Sequence, residues 1–141
     1  MTGARRKART VALQILYEVD SVGHDAAAVL ARGLTGVDLS GENTAFVSEL
    51  VNGVISNKEE IDRNIRRFAP AWPVEQIAVT DRNILRLAIY EILFDNRVSA
   101  KIAINEAVEL AKRFGSDNSA KFINGVLGAV SALAGQQKAF E

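Results

Sequence analysis

The stretch that decides the fold of this chain is KIAINEAVELAKRFGSDNSAKFINGVL, residues 101–127. Apolar residues recur in it at intervals of three and four, which predicts two amphipathic helices. The break between the two helices falls at Gly115, because a helix C-terminus favours a residue that tolerates positive φ. Residues 116–119, SDNS, then offer N-caps for the second helix. The stretch is therefore predicted to form a pair of helices joined by a sharp turn.

Two glycines interrupt the second predicted helix. Gly125 and Gly128 each cost about 1 kcal/mol relative to alanine inside a helix. Together with Ala129 and Ala132 they form a strip of small residues along one side. Since glycine often marks the close approach of another backbone, the strip predicts that a second helix packs tightly there.

The same apolar periodicity continues through the rest of the chain. It predicts further helices over about 3–21, 26–34, 40–56, 58–68 and 80–94, with one turn at 74–77. The helix over 80–94, with Thr80 as its N-cap, is apolar nearly all round and should be the central helix. Trp72 lies between two prolines and is predicted to anchor the connection on the core. We therefore predict one all-α domain over residues 1–141, with a flexible tail from about 135.

The amino-acid composition argues against a metal site and against catalysis. The chain has no cysteine and a single histidine, His24, which excludes thiolate or multi-histidine metal sites and a cysteine nucleophile. The acidic residues are scattered over helix surfaces, and no glycine-rich phosphate loop follows a strand. We predict no catalytic site, no metal site and no cofactor. No apolar run approaches 18 residues and no signal peptide begins the chain, so the expected location is the cytoplasm.

Charge is concentrated at one end of an otherwise neutral chain. The 17 basic and 17 acidic residues balance, yet residues 1–10 contain Arg5, Arg6, Lys7 and Arg9 and no acid. A helix N-terminus disfavours cations, so another feature must favour them there. The basic end is either a solvated helix tip or a site for a polyanion. The residues alone therefore predict a helical bundle that acts as a binding module.

Three segments resemble the NusB family of bacterial transcription antitermination factors. They are AINEAVELAKRFGSDNSAKFINGVL over 103–127, LRLAIYE over 85–91 and RRKAR over 5–9, which is followed by Ala12, Leu16 and Tyr17. The resemblance covers nearly the whole chain in the right order. It implies a compact fold of about seven helices in two small bundles. It also implies binding to the boxA element of ribosomal RNA leader transcripts, pairing with the small-subunit ribosomal protein NusE, and modification of RNA polymerase.

The resemblance also implies roles for individual residues. The RNA-binding residues are expected to be Arg5, Arg6, Lys7, Arg9, Asn118 and Phe122, and the NusE-binding residues Tyr17 and Asp81. Asn118 replaces an acidic residue often found at its position, and Ala69 replaces an aromatic residue that stacks on RNA in some relatives. Phe122 is a candidate stacking platform, but it also lies on the apolar stripe of its helix. Whether it is a core residue or an RNA contact stays open at this stage.

The sequence is also compatible with other classes of function, namely an enzyme or a protein-interaction adaptor. A related domain begins some ribosomal RNA cytosine methyltransferases, but this chain is too short to add a catalytic domain and lacks the cysteine nucleophile. We therefore predict that the protein is not an enzyme. The alternative is a helical protein-interaction adaptor that does not bind RNA directly. The sequence leaves open the preferred RNA sequence, the affinity, and whether the free protein is a monomer or a homodimer.

Overall fold

Seven helices make up the fold in the computed structural model, which describes residues 2–95 and 97–139, and side chains over 3–95 and 97–135. The helices are α1 (Thr2–Val22), α2 (Ala26–Leu34), α3 (Gly41–Ser56), α4 (Lys58–Phe68), α5 (Val79–Leu93), α6 (Ala100–Phe114) and α7 (Ser119–Ala139). A short 3₁₀ turn, Val74–Gln76, lies between α4 and α5. No strand occurs within the described ranges. The predicted all-α fold is confirmed.

Helix α5 is the centre of the molecule, as its apolar sequence predicts. It packs against α1, α3, α4, α6 and α7. Ile84, Leu85 and Ile89 are completely buried on it. The helices α1, α2 and α3 pack on one another, and α5, α6 and α7 form a second group. This arrangement agrees with the two small bundles that the resemblance implies.

Short polar side chains begin several helices, but not α5. Asp25, Ser40 and Ser99 accept hydrogen bonds from the first free backbone N–H groups of α2, α3 and α6. The prediction that Thr80 caps α5 is wrong, because that helix already begins at Val79. Its N-cap residue, Ala78, has no side chain that can cap the helix. Only its backbone oxygen takes part, by accepting a hydrogen bond from the N–H of Arg82.

The predicted close packing at the small-residue strip is wrong. Gly125 and Gly128 are exposed, and a Cβ atom at either position would meet no heavy atom within 4 Å. The opposite side of α7 packs on the core instead, through residues such as Ile123 and Leu127, which are completely buried. The strip of small residues therefore faces water.

Gly115 ends α6 for a reason other than the one predicted. Its φ of −91° and ψ of −170° are accessible to any residue. A Cβ atom there would lie 2.6 Å from the side chain of Ser119 and 2.8 Å from the carbonyl oxygen of Ala111. Glycine is therefore required by close approach, which lets the chain turn directly into α7.

The connection between α4 and α5 packs on the core through side chains other than its tryptophan. Trp72 is 56% exposed, so the prediction that it anchors this connection is wrong. Ala69, Val74 and Ile77 are the buried residues of the segment. Three smaller side chains fill the available space, and the indole remains on the surface.

The end of the chain is described only in part. Helix α7 continues to Ala139, while Phe140 and Glu141 lie outside the described residues. The flexible tail predicted from about residue 135 therefore stays a prediction. Of the helices in the described ranges, none combines the length and the apolar character needed to cross a membrane.

Candidate nucleic-acid interface

The basic residues at the start of α1 are held by other parts of the fold. Arg5 Nη2 donates to Glu42 Oε1 over 3.3 Å, and the Arg5 guanidinium lies 4.1 Å from the centre of the Phe46 ring. Such a cation–π contact is attractive in its own right. Lys7 Nζ donates to the backbone oxygen of Asp38 over 3.0 Å. Both cations remain close to solvent, at one edge of the α1–α3 contact.

The guanidinium of Arg6 is held in place by a carboxylate on one edge and is open to solvent on the other. Its Nε and Nη2 atoms donate to the two carboxylate oxygens of Glu106 over 3.1 Å and 2.7 Å. The Glu106 side chain is buried, whereas the Arg6 side chain is 46% exposed. A bidentate pair of this kind fixes the plane of the guanidinium. One edge of Arg6 is thus anchored on α6, and the rest can meet an anion from solvent.

Arg9 departs from the expectation that all four basic side chains bind RNA. It is only 6% exposed, and its Nε donates to Glu91 Oε1 over 2.9 Å. Its Nη1 also lies 3.8 Å from Glu106 Oε1. Burial raises the pKa of the Glu91 carboxyl, and the charge of Arg9 opposes that rise. In this structure Arg9 is a core ion pair and is not available for a phosphate.

These acids explain why α1 begins with cations. Glu42 lies on α3, Glu91 on α5 and Glu106 on α6, so each comes from a different helix. Their charges outweigh the unfavourable helix dipole, which amounts to about 0.3–1 kcal/mol per charge. The sequence predicted that the acidic residues are scattered over helix surfaces, which missed the role of Glu106. Glu91 carried a signal, because an acid on a nearly all-apolar helix usually requires a partner.

Asn118 and Phe122 lie at the start of α7, around a cavity of about 240 Å³. Trp72 and Asp81 line the same cavity. Phe122 is half-buried and packs on the core, so one part of its ring is available at the surface. Asp81 Oδ2 accepts a hydrogen bond from the hydroxyl of Ser119 over 3.0 Å. Two predicted RNA residues and one predicted NusE residue therefore share one depression.

Tyr17 lies in a different depression. This groove, of about 540 Å³, is lined by Leu13, Gln14, Tyr17, Glu18, Ser21, Val22, Thr80 and Phe114. Tyr17 is 46% exposed, and Val22 and Phe114 also present apolar surface. Thr80 precedes Asp81 in the chain, so the groove of Tyr17 and the cavity of Asp81 are neighbours. The two residues expected to bind NusE are close in the fold but do not line a common pocket.

The predicted RNA residues form two separate groups. Arg6 contacts Glu106 in the middle of α6, whereas Asn118 follows the C-terminal end of that helix. The eight residue-to-residue steps from Glu106 to Phe114 extend about 12 Å at 1.5 Å per step. A ligand that contacts both groups must therefore be extended. Among the described residues no group of three or more histidine, cysteine or acidic side chains is arranged to hold a metal ion.

Comparison with known proteins gives relatives that cover nearly the whole chain. A sequence model of the NusB family matches residues 6–132. The transcription antitermination protein NusB of Dehalococcoides mccartyi is 56% identical over 98% of this chain and 97% of its own length. That of Chloroflexus aggregans is 46% identical, over 92% of this chain and 88% of its own.

Solved structures agree with the sequence matches. NusB of T. maritima superposes with a TM-score of 0.85 and 32% identity, covering 91% of this chain and 90% of its own. A structure of the antitermination factors NusB and NusE in complex with double-stranded RNA also contains a similar chain. That chain superposes on this protein with a TM-score of 0.85 and 25% sequence identity. The match covers 94% of this protein and 99% of the other chain. With a family match over most of its length, the chain belongs to the NusB family.

Proposed function

We propose that this protein is a transcription antitermination factor of the cytoplasm. In this proposal it binds the boxA element of ribosomal RNA leader transcripts together with NusE, and the complex modifies elongation by RNA polymerase. The names of the relatives support the antitermination role. The solved complex of a similar chain with NusE and RNA supports both partners. The relatives are named for regulation of transcription, not for a catalysed reaction, which agrees with the prediction that the protein is not an enzyme.

The observation that carries the RNA proposal is the anchored, half-exposed guanidinium of Arg6. Arginine held by a buried carboxylate loses little freedom when it meets a phosphate, because its plane is already fixed. Arg5 and Lys7 add positive charge at the same edge. The half-buried ring of Phe122, in the second group of predicted RNA residues, is suited to stacking an unpaired base.

Binding across a salt series tests this proposal. Each phosphate neutralised on a single strand contributes about −0.7 to the log–log salt slope. Arg6→Ala should therefore make the slope shallower by about 0.7. It should also weaken the affinity for boxA and for a scrambled strand by similar factors. Lys58→Ala, which removes an exposed cation from the start of α4, is the matched control and should change neither. An unchanged slope for Arg6→Ala would contradict a phosphate contact at this residue.

A second experiment separates base recognition from charge. Phe122→Leu keeps most of the apolar volume in the core but removes the aromatic face. We expect an unchanged salt slope and a reduced preference for boxA over a scrambled strand, since stacking contributes about 1–3 kcal/mol per base. Equal preference in the wild type and the variant would make Phe122 a core residue only.

The NusE surface is best tested at Tyr17. The exposed groove around Tyr17 is an apolar patch of the kind that protein partners cover. Tyr17→Ser should weaken NusE binding and leave RNA binding by the free protein unchanged. Asp81→Lys should affect both ligands, because Asp81 shares a cavity with Asn118 and Phe122. Titrating the wild type with NusE at several concentrations of the protein shows whether formation of a homodimer competes with NusE binding.

The alternative of an adaptor without RNA binding also has an observation in its favour. Each of the four basic residues on α1 already has a partner within the fold, so their charges serve the structure as well. Deletion of residues 1–10 does not separate the two functions, because it removes the buried Ala8 and Arg9. Arg6→Ala does separate them. Full RNA affinity in that variant, with NusE binding intact, would favour the adaptor.

A further inference from the structure

We infer that the second half of α4 and the exposed Trp72 form an additional contact surface for single-stranded RNA. We call this surface the α4 patch; it consists of Arg63, Arg66, Arg67 and Trp72. The inference rests on the proposed function, which it extends to nucleotides beyond those held by α1 and by the start of α7. Nothing in the residues implied by the family resemblance assigns a role to these four.

The arginines of the α4 patch differ from those of α1 in their partners. Arg63, Arg66 and Arg67 are all exposed. No carboxylate oxygen of the described residues lies within 4.0 Å of any of them. Arg6 and Arg9, in contrast, are both paired with carboxylates. Arg63, Arg66 and Arg67 are therefore exposed cations that form no ion pair within the described residues.

The fold also removes the nearby acid from this surface. Asp62 is the acidic residue of α4 that lies nearest in sequence to the arginines of the patch. It is buried, and both of its carboxylate oxygens accept hydrogen bonds from Arg86 over 2.8 Å and 3.0 Å. The exposed acids of α4, Glu59 and Glu60, lie in its first turn, whereas the polar side chains from residue 63 onwards are basic or amide. A surface of this kind attracts a polyanion.

The shape of the surface fits a strand that lies along a helix. Arg63 and Arg67 are one turn apart and line a groove of about 340 Å³ between α4 and α7, and Glu60 lines the same groove one turn before Arg63. Val130 and Leu133 supply the other wall of that groove. Side chains four residues apart on a helix project on the same side. Two phosphates of one strand can therefore be contacted at once.

Trp72 lies at the cavity of Phe122, shortly after the groove residue Arg67 in the chain. It follows Arg67 by five residues and lines the same cavity as Asn118 and Phe122. Single-stranded nucleic acid is typically bound by cations along its backbone and aromatic faces under its bases. The α4 patch offers both, because an exposed indole follows the exposed arginines within the same stretch of chain. An acidic protein would use the cations but would not need the aromatic face, so we favour RNA.

The indole itself provides a direct measurement, because Trp72 is the only tryptophan of the chain. We expect its fluorescence to be quenched in parallel with binding when a boxA-like single strand, extended at both ends by about six nucleotides, is added to the full-length protein. A double-stranded RNA of the same sequence should quench less, since its bases are already stacked. Binding without any quenching would overturn the stacking role of Trp72.

Strand length tests the arginines. A boxA-like strand and the same strand extended at both ends by about six nucleotides, within the range of sites for single-strand binding, are compared. Arg63→Ala combined with Arg67→Ala should leave binding of the short strand unchanged. For the extended strand it should make the salt slope shallower by about 1.4 and weaken affinity severalfold. Lys58→Ala, at the other end of the same helix, should change neither.

The outcomes distinguish this inference from the proposed function. If the wild type binds boxA and the double variant binds both strands like the wild type, the α4 patch is not an RNA surface although the proposed function stands. If the double variant instead no longer binds NusE, the patch is a protein-binding surface and the inference is wrong. If the wild type binds no RNA, both fail.

Discussion

An ion-pair network around Asp20 offers the sharpest test of the energetics of this fold. Asp20 lies near the end of α1 and accepts hydrogen bonds from Arg82 over 2.6 Å and 2.8 Å. It also accepts from Asn83 over 2.9 Å and from Arg86 over 3.0 Å. Both arginines are largely buried, and the Asp20 side chain is 15% exposed. We predict that Asp20→Asn destabilises the protein in a way that depends on pH.

The magnitude follows from the ionisation of Asp20. Burial alone would raise its pKa, but hydrogen bonds from Arg82 and Asn83 and the charges of Arg86 and Arg82 outweigh that effect and lower the pKa from 3.8 to about 2. Each tenfold change in an ionisation constant corresponds to about 1.36 kcal/mol, so the lowered pKa corresponds to about 2.4 kcal/mol at pH 7. This contribution is present in full above the unfolded pKa and disappears as the pH falls through the folded one. At pH 3 it should be about 1.3 kcal/mol.

Urea denaturation of the wild type and Asp20→Asn at several pH values measures this contribution. The difference in the free energy of unfolding should be at least about 2 kcal/mol at pH 7 and should shrink by about 1 kcal/mol at pH 3. Asp38→Asn is the control, because its side chain is exposed and makes no ion pair within the described residues. A difference that is the same at both pH values would refute the argument, since Asp20 would then titrate alike in the folded and unfolded chains.

Three further substitutions test other parts of the structure by thermal and urea unfolding. Gly125→Ala should stabilise the protein by about 0.5–1 kcal/mol, because the site is open and alanine favours the helix; destabilisation would mean that α7 has a neighbour there. Gly53→Ala should destabilise by about 1–3 kcal/mol, since its Cβ would lie 2.2 Å from the ring of Tyr90; an unchanged melting temperature would mean that the ring moves freely. Arg9→Ala should cost about 3–5 kcal/mol by leaving Glu91 buried without its partner, and a cost below 1 kcal/mol would show that water replaces the guanidinium.

Helices were predictable from sequence because their signals are local. Apolar spacing placed α2 and α4 at the residues where they occur, and Gly115 marked the end of α6. These features depend on neighbours three or four positions away, which the sequence lists directly. The start of α5 was misplaced for a related reason. Thr80 has the chemistry of a cap, but the backbone was already helical at Val79.

The character of the candidate site was also partly predictable. The RKAR run and the resemblance drew attention to α1 and to the start of α7. The sequence did not distinguish Arg6 from Arg9, although one is half-exposed and the other is buried. The two residues are three positions apart and have the same side chain. They differ only in which carboxylates, from α5 and α6, approach them.

Sequence by itself therefore determined the helices, their order and the family to which the chain belongs. Tertiary structure alone decided which cations are paired and which are free, as the contrast between Arg9 and Arg67 illustrates. It also decided that Trp72 and the glycines of α7 face water. The physical reason is distance along the chain. Helix formation is governed by contacts within one turn, whereas burial and ion pairing depend on residues such as Glu91 and Glu106, which lie about 80 to 100 positions from their partners on α1.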